Sequence, residues 1–162
     1  RMEREGQTMR FKKAYLEITN VCNLNCAFCP GTKREKRFMT ADEFGVLASK
    51  LRPYTDYLYL HLMGEPLLHP ELGTLLNIAH GLEFKVIITT NGTLLGDRGA
   101  VLLNSPAVHK VNISLQSFEA NSGGEIESYV NQCAAFCEMR QDIRHFELKR
   151  IIKCELLDEK FE

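Results

Sequence analysis

Ala14-Tyr-Leu-Glu-Ile-Thr-Asn-Val-Cys22-Asn-Leu-Asn-Cys26-Ala-Phe-Cys29-Pro30 divides into two parts that belong together. Ala14 to Thr19 is strand-like, with apolar, aromatic and β-branched side chains in a short run. The rest is polar, rich in asparagine, and carries three cysteines spaced C-x3-C-x2-C before the breaker pair Pro30-Gly31. A strand that empties into a loop of chemically capable side chains is how parallel α/β folds build their sites, at the carboxyl ends of the strands.

Three structural explanations compete for the triplet. Positions i, i+4 and i+7 share one face of a helix, where buried thiols act as small hydrophobes; Asn20, Asn23, Asn25 and Pro30-Gly31 oppose a helix here. Zinc needs four ligands, usually as two separated pairs; His61 or His69 is a candidate fourth, but no pair is spaced for it. A disulfide framework needs an oxidising compartment. The chain has six cysteines in 162 residues, and its first stretch, RMEREGQTMRFKKA, is charged and polar, without a secretory core. A reducing, cytoplasmic setting is therefore expected, in which clustered cysteines bind metal or do chemistry. Three thiolates also suit a cubane iron–sulfur cluster with one of its four irons left open to a small molecule.

The pattern of strand followed by polar turn recurs outward from this stretch. Tyr57-Leu-Tyr-Leu-His-Leu62 runs into Leu62-Met-Gly-Glu-Pro66, Phe84-Lys-Val-Ile-Ile-Thr89 into Thr89-Thr-Asn-Gly92, and Val111-Asn-Ile-Ser-Leu115 into Ser114-Leu-Gln-Ser117. Between them lie helical patterns. Thr40 and Glu43 form a capping box, followed by an apolar stripe at Phe44, Leu47, Ala48 and Leu51, with Pro53 as the stop. Pro70 opens a second helix striped by Leu72, Leu75, Leu76 and Ala79 and closed by Gly81. A third, weakened by Gly96 and Gly99, spans Leu95 to Asn104. A fourth is marked by Ile126, Tyr129, Val130, Cys133 and Cys137. Alternating strands and helices predict βαβ units, a mainly parallel sheet, right-handed crossovers and helices on the outer face. The four polar turns should then converge.

Composition fits one domain: 44% hydrophobic and 25% charged residues suffice for a packed core. A net charge of −1 gives no global electrostatic case for nucleic acid or an anionic membrane. No apolar run approaches the ~20 residues that span a bilayer. Lys33-Arg34-Glu35-Lys36-Arg37 is either a solvated loop entering a helix or a basic rim for an anionic substrate.

The triplet, with Phe28 before its third cysteine and the three later turns in their order, resembles the radical S-adenosylmethionine (radical SAM) family over roughly residues 12 to 120. The resemblance implies a partial (β/α) barrel. It implies that Cys22, Cys26 and Cys29 hold a [4Fe–4S] cluster whose open iron chelates S-adenosylmethionine. Reductive cleavage would give a 5′-deoxyadenosyl radical that abstracts hydrogen from a substrate. By the same resemblance Gly64 and Glu65 meet the methionine amino group, Thr90 and Asn91 meet ribose and methionine, Ser114 and Gln116 are further contacts on one strand face, and Phe28 packs near the adenine. A small-molecule or peptide substrate and an electron donor such as a flavodoxin or ferredoxin are implied as partners; an oligomer stays open.

The expected organisation is a flexible segment at 1–12, the core at 13–138, and a charged tail or last βα element at 139–162, with Ile151 to Leu156 as a candidate fifth strand. No sixth unit is visible. Cys133, Cys137 and Cys154 are either buried thiols of a helix face or an auxiliary cluster, and His61 and His69 are read as structural. The rival functions are a non-catalytic iron–sulfur or cofactor-binding module, or a fragment of a larger enzyme, and a zinc-binding interaction protein.

Overall fold

A computed structural model describes residues 10–121 and 125–140. The elements run β1 (Ala14–Tyr15), α1 (Ala41–Leu51), β2 (Tyr57–Tyr59), a 3-10 turn (Pro66–Leu68), α2 (Leu72–Gly81), β3 (Lys85–Thr90), α3 (Leu95–Arg98), α4 (Ala100–Leu103), β4 (Val108–Ile113), a second 3-10 turn (Leu115–Ala120) and α5 (Ile126–Arg140). The strands form one parallel sheet in the order β1-β2-β3-β4. Parallel neighbours in sequence order need a crossover after each strand, and the helices supply it.

One sheet face is the core. Leu16, Ile18, Leu58, Leu60, Val86 and Ile88 are buried in one cluster with Phe44 and Ala48 of α1 and Leu72, Leu75, Leu76 and Ala79 of α2. Each such leucine or isoleucine contributes about 1.5–3 kcal/mol by leaving water. On the other face Tyr15 and Tyr59 meet His61 by their rings, and Thr89 lies beside Asn112. The expected capping box is present: Glu43 N–H donates to Thr40 Oγ1 at 3.2 Å and Thr40 N–H to Glu43 Oε2 at 2.9 Å. It fixes where α1 begins, and so the length of the loop that carries the cysteines.

Several expected boundaries move. β1 leaves the ladder after Tyr15 because the chain changes partner: Met39 N–H donates to Ile18 O, and Thr19 pairs antiparallel with Phe38. β2 ends at Tyr59, with one further bond from Leu60 N–H to Ile87 O before the chain turns inward. β4 begins three residues and ends two residues earlier than its apolar run, Val111 to Leu115, predicts. α2 starts at Leu72, after a turn at Pro70, and the Pro66–Leu68 turn was not anticipated. The third helix divides at Gly99, against which Phe136 of α5 packs.

Two apolar stripes differ in phase from expectation. Leu47 is 39% exposed, leaving Phe44 and Ala48 as the buried residues of α1. In α5 the buried residues are Tyr129, Cys133 and Phe136, while Ile126 and Val130 are 63% and 48% exposed. The spacing i, i+4, i+7 is kept, but shifted onto the side that meets α3 and the end of β3. The candidate fifth strand and Cys154 lie outside the described residues.

Candidate functional site

Just past the strands' carboxyl ends the chain forms a cleft of about 220 Å³, lined by Cys22, Cys26, Cys29, Phe28, Gly64, Glu65, Thr90, Asn91 and Ser114. The cysteine loop leaves β1 through Asn20, a buried side chain that clamps the loop's return: its amide donates to Glu35 O at 2.8 Å and its carbonyl accepts from Arg37 N–H at 2.8 Å. Cys29 N–H donates to Cys26 O at 3.0 Å, which turns the loop so that all three thiols line one cleft. None of the three is in a disulfide; Cys22 and Cys29 are exposed and Cys26 half-buried. Burial pushes the Cys22 thiol up, against the hydrogen bond it accepts from Leu24 N–H.

Among the described residues no three His, Cys, Asp or Glu side chains converge as a single metal ion would require. Three thiols lining one cleft are a donor set that fits an iron–sulfur cluster, in which each thiolate would meet a different iron.

Glu65 joins the pieces. It is 1% exposed. Its Oε1 accepts from Thr90 Oγ1 at 2.7 Å and Leu67 N–H at 3.0 Å, and its Oε2 accepts from Asn91 N–H at 2.7 Å. Its own N–H donates to Val21 O at 2.8 Å, next to Cys22. The residue expected to meet an amino group therefore has both carboxylate oxygens engaged inside the protein, tying β2, β3 and the cysteine loop together. Burial pushes its carboxyl above the usual range, while the three donors act the other way. Gly64 has φ +79°, and a Cβ there would stand 2.6 Å from Thr19 O and 2.8 Å from Val21 O. Only glycine permits this approach of two backbones.

Thr90 and Asn91 are buried at the end of β3. Asn91 Nδ2 donates to Asn23 Oδ1 at 2.9 Å, its Oδ1 accepts from Thr93 Oγ1 at 2.7 Å, and Asn23 Nδ2 donates to Thr93 Oγ1 at 2.9 Å. A closed polar ring thus fastens the cysteine loop to the β3 turn. From the far side the buried Tyr129 hydroxyl donates to Asn91 O at 2.7 Å, and a Cβ on Gly92 (φ +81°) would meet that hydroxyl at 2.9 Å. Asn23, Thr93 and Tyr129 were missed as site residues. In sequence the asparagines signal turn formation alone, and Tyr129 gives no signal beyond its helical spacing.

Ser114 lines the cleft, but Gln116 does not. β4 ends at Ile113, so the expected alternation along a strand gives way to a 3-10 turn. There Ser117 N–H donates to Ser114 O at 2.9 Å, and Ser117 becomes the second lining residue. Phe28 is 43% exposed at the cleft. His69 is fully buried, with Nε2 against Met39 O at 2.9 Å and Nδ1 accepting from Glu71 N–H, as its structural reading required. His61 lines the cleft, with Nε2 3.2 Å from Thr89 Oγ1; burial lowers its pKa, and Lys13 adds to the fall. Cys133 is buried beside Tyr129, and its thiol is pushed up to about 11 by burial. A larger groove of about 940 Å³ lies between residues 16–20 and α1, but no cysteine lines it, and its lining mixes apolar side chains such as Leu16, Ile18 and Val46 with charged ones such as Glu17, Arg34 and Arg37.

The family model of the Radical SAM superfamily matches residues 16–142. A probable GTP 3′,8-cyclase of Methanococcus maripaludis is 31% identical over 136 residues, covering 78% of this chain and 45% of the relative. The GTP 3′,8-cyclase of Chlorobaculum tepidum is 33% identical over 124 residues, covering 72% and 36%. The chain thus spans less than half the length of these curated relatives. Among solved structures, BtrN in complex with AdoMet and 2-DOIA superposes with a TM-score of 0.64 at 20% identity, over 83% of this chain and 56% of its own. Streptococcus suis SuiB bound to S-adenosylmethionine gives 0.63 at 22%, over 81% and 32%. At these identities the two structures establish the fold, a TIM-barrel-like α/β architecture.

Proposed function

The chain belongs to the radical SAM superfamily, and from that premise we propose that it acts as a radical SAM enzyme on a small-molecule or peptide substrate. The observation that carries this is the single cleft in which the thiols of Cys22, Cys26 and Cys29 face the Thr90-Asn91 turn. In this reading the three cysteines hold a [4Fe–4S] cluster as thiolates. Held there, the cluster would supply the electron for reductive cleavage of S-adenosylmethionine, and the cleaved cofactor would supply the hydrogen-abstracting group. The protein binds, orients and shields. The buried Thr90-Asn91 turn holds the methionine and ribose end. The Met63-Gly64-Glu65 segment approaches by its backbone, and Glu65 acts through the turn that it anchors. Phe28 and Ser114 offer apolar and hydroxyl surface to the nucleoside. A peptide substrate has a parallel in SuiB, whose structure is known with its precursor peptide SuiA.

The test is reconstitution with iron and sulfide without oxygen, followed by reduction, addition of S-adenosylmethionine and assay for 5′-deoxyadenosine. The expected result is a cluster absorption lost in Cys26→Ala and formation of 5′-deoxyadenosine by the wild type. A full cluster with no product would support a binding module that lacks catalysis. An undiminished cluster in Cys26→Ala would overturn the ligand assignment.

A further inference from the structure

On the reading that Cys22, Cys26 and Cys29 hold a [4Fe–4S] cluster, we propose that Asn91 is a positioning residue that raises the cluster's reduction potential through Cys22. The sulfur of Cys22 accepts from two N–H groups, the backbone of Leu24 at 3.5 Å and the side-chain Nδ2 of Asn91 at 4.0 Å. Leu24 belongs to the cysteine loop itself. Asn91 arrives from the end of β3, so its contact with the sulfur exists only because the fold brings the two turns together. The second contact is long, and its aim is fixed by the rest of the amide.

Asn91 Oδ1 accepts from Thr93 N–H at 3.0 Å and from Thr93 Oγ1 at 2.7 Å. A backbone N–H can only donate, so this bond identifies the oxygen and leaves Nδ2 as the atom turned to the cysteine. One Nδ2 hydrogen goes to Asn23 Oδ1 at 2.9 Å and the other to Cys22 Sγ. An amide side chain has two acceptor sites and two donors, and all four are engaged inside the protein. The residue is 7% exposed, and its backbone is gripped as well, by Glu65 Oε2 at the N–H and by the Tyr129 hydroxyl at the carbonyl. An N–H dipole held against a ligand sulfur stabilises negative charge on the cluster, and does so more strongly once an electron has been added. Hydrogen bonds to the sulfurs are among the factors that set such potentials. Asn91 therefore makes the cluster easier to reduce without itself being a ligand.

The experiment is a redox titration of the reconstituted full chain, followed by electron paramagnetic resonance and run without S-adenosylmethionine so that no cofactor contact contributes. Wild type, Asn91→Asp, Asn91→Ala and Thr93→Val are compared, with iron content checked in each. Asn91→Asp turns an anionic oxygen to the sulfur in place of a donor. It is expected to lower the reduced-to-oxidised ratio at a fixed poise about tenfold, a shift of about 59 mV for one electron. Asn91→Ala should move the potential the same way by less. Thr93→Val loosens the ring around the amide but keeps Nδ2 aimed at Cys22, and should leave the potential in place. An unmoved potential in Asn91→Ala would overturn the proposal whatever Asn91→Asp does, because the aspartate also adds a charge. An equal shift in Thr93→Val, or Asn91 variants that fold but take up no iron, would assign Asn91 to loop structure and overturn it as well. Failure of the wild type to form any cluster would overturn the underlying cluster reading, an outcome distinct from all of these.

Discussion

Glu65 shows how a single side chain can organise a site without presenting its charge to a ligand. Its carboxylate accepts from Thr90, Asn91 and Leu67, so removing it would release two residues of the β3 turn and one of the Pro66–Leu68 turn together. The same burial predicts a pH signature. The folded-state pKa lies above the ordinary carboxyl value of 4.5. The native state therefore holds this proton more tightly than the unfolded chain does, and the sign of the linkage makes stability fall as pH rises from 4.5 through the raised value. Glu65→Gln removes that titration while keeping the shape. The melting temperature of wild type relative to Glu65→Gln, followed from acid to neutral pH in the cluster-free protein, is expected to drop across that window. A flat difference would show that the three donors offset burial. Gly64 beside it acts by absence: its missing Cβ lets the turn after β2 press against the backbone of Thr19 and Val21.

At the level of elements, α5 is where function and packing meet. Its phase places Tyr129 against the end of β3, Cys133 beside Gly92, and Phe136 against Gly99 at the α3–α4 break. Tyr129→Phe keeps the ring and its contact with Phe118 but leaves the carbonyl of Asn91 without its buried donor. The expected cost is about 1–3 kcal/mol, read by denaturant unfolding, together with weaker cofactor binding. Thr40→Ala, which removes the cap of α1 at a similar cost of about 1 kcal/mol, should leave cofactor affinity unchanged. Equal effects of the two variants on affinity would deny α5 a special role. The sequence made α1 legible in detail because capping is local: Thr40 and Glu43 suffice to place it. It left α5 out of phase because Ile126 and Val130 are as hydrophobic as Tyr129 and Cys133. Only the partner surface, formed by a turn some forty residues earlier, decides which side is buried. The strand ends moved for the same reason, since β1 stops where residues 37–39 offer it another partner.

Across the whole molecule the polar turns converge because a parallel sheet sends every strand's carboxyl end to one edge, and that much could be read from alternation alone. The hydrogen-bonded ring of Asn23, Asn91 and Thr93 could not, because each residue is an ordinary turn former in its own segment and becomes a fastening only when β1 and β3 are brought to one cleft. That ring makes the cysteine loop and the β3 turn one mechanical unit, with Glu65 and Tyr129 bonded to the same turn, while α1 is joined to the unit through the loop at residues 35–39. A cluster that binds the folded state stabilises whatever it is coupled to. Loading the cysteines with iron and sulfide is therefore expected to slow amide hydrogen exchange at Glu65 and at Asn91 to Thr93, as well as in the loop from Cys22 to Cys29. Exchange at Phe44 to Leu51 of α1 should change little. Comparing cluster-loaded and cluster-free protein residue by residue tests this directly. Protection confined to the cysteine loop would mean that the ring of asparagines and threonine is too weak to transmit order, and that the β3 turn is organised by Glu65 and Tyr129 whether or not a cluster is present.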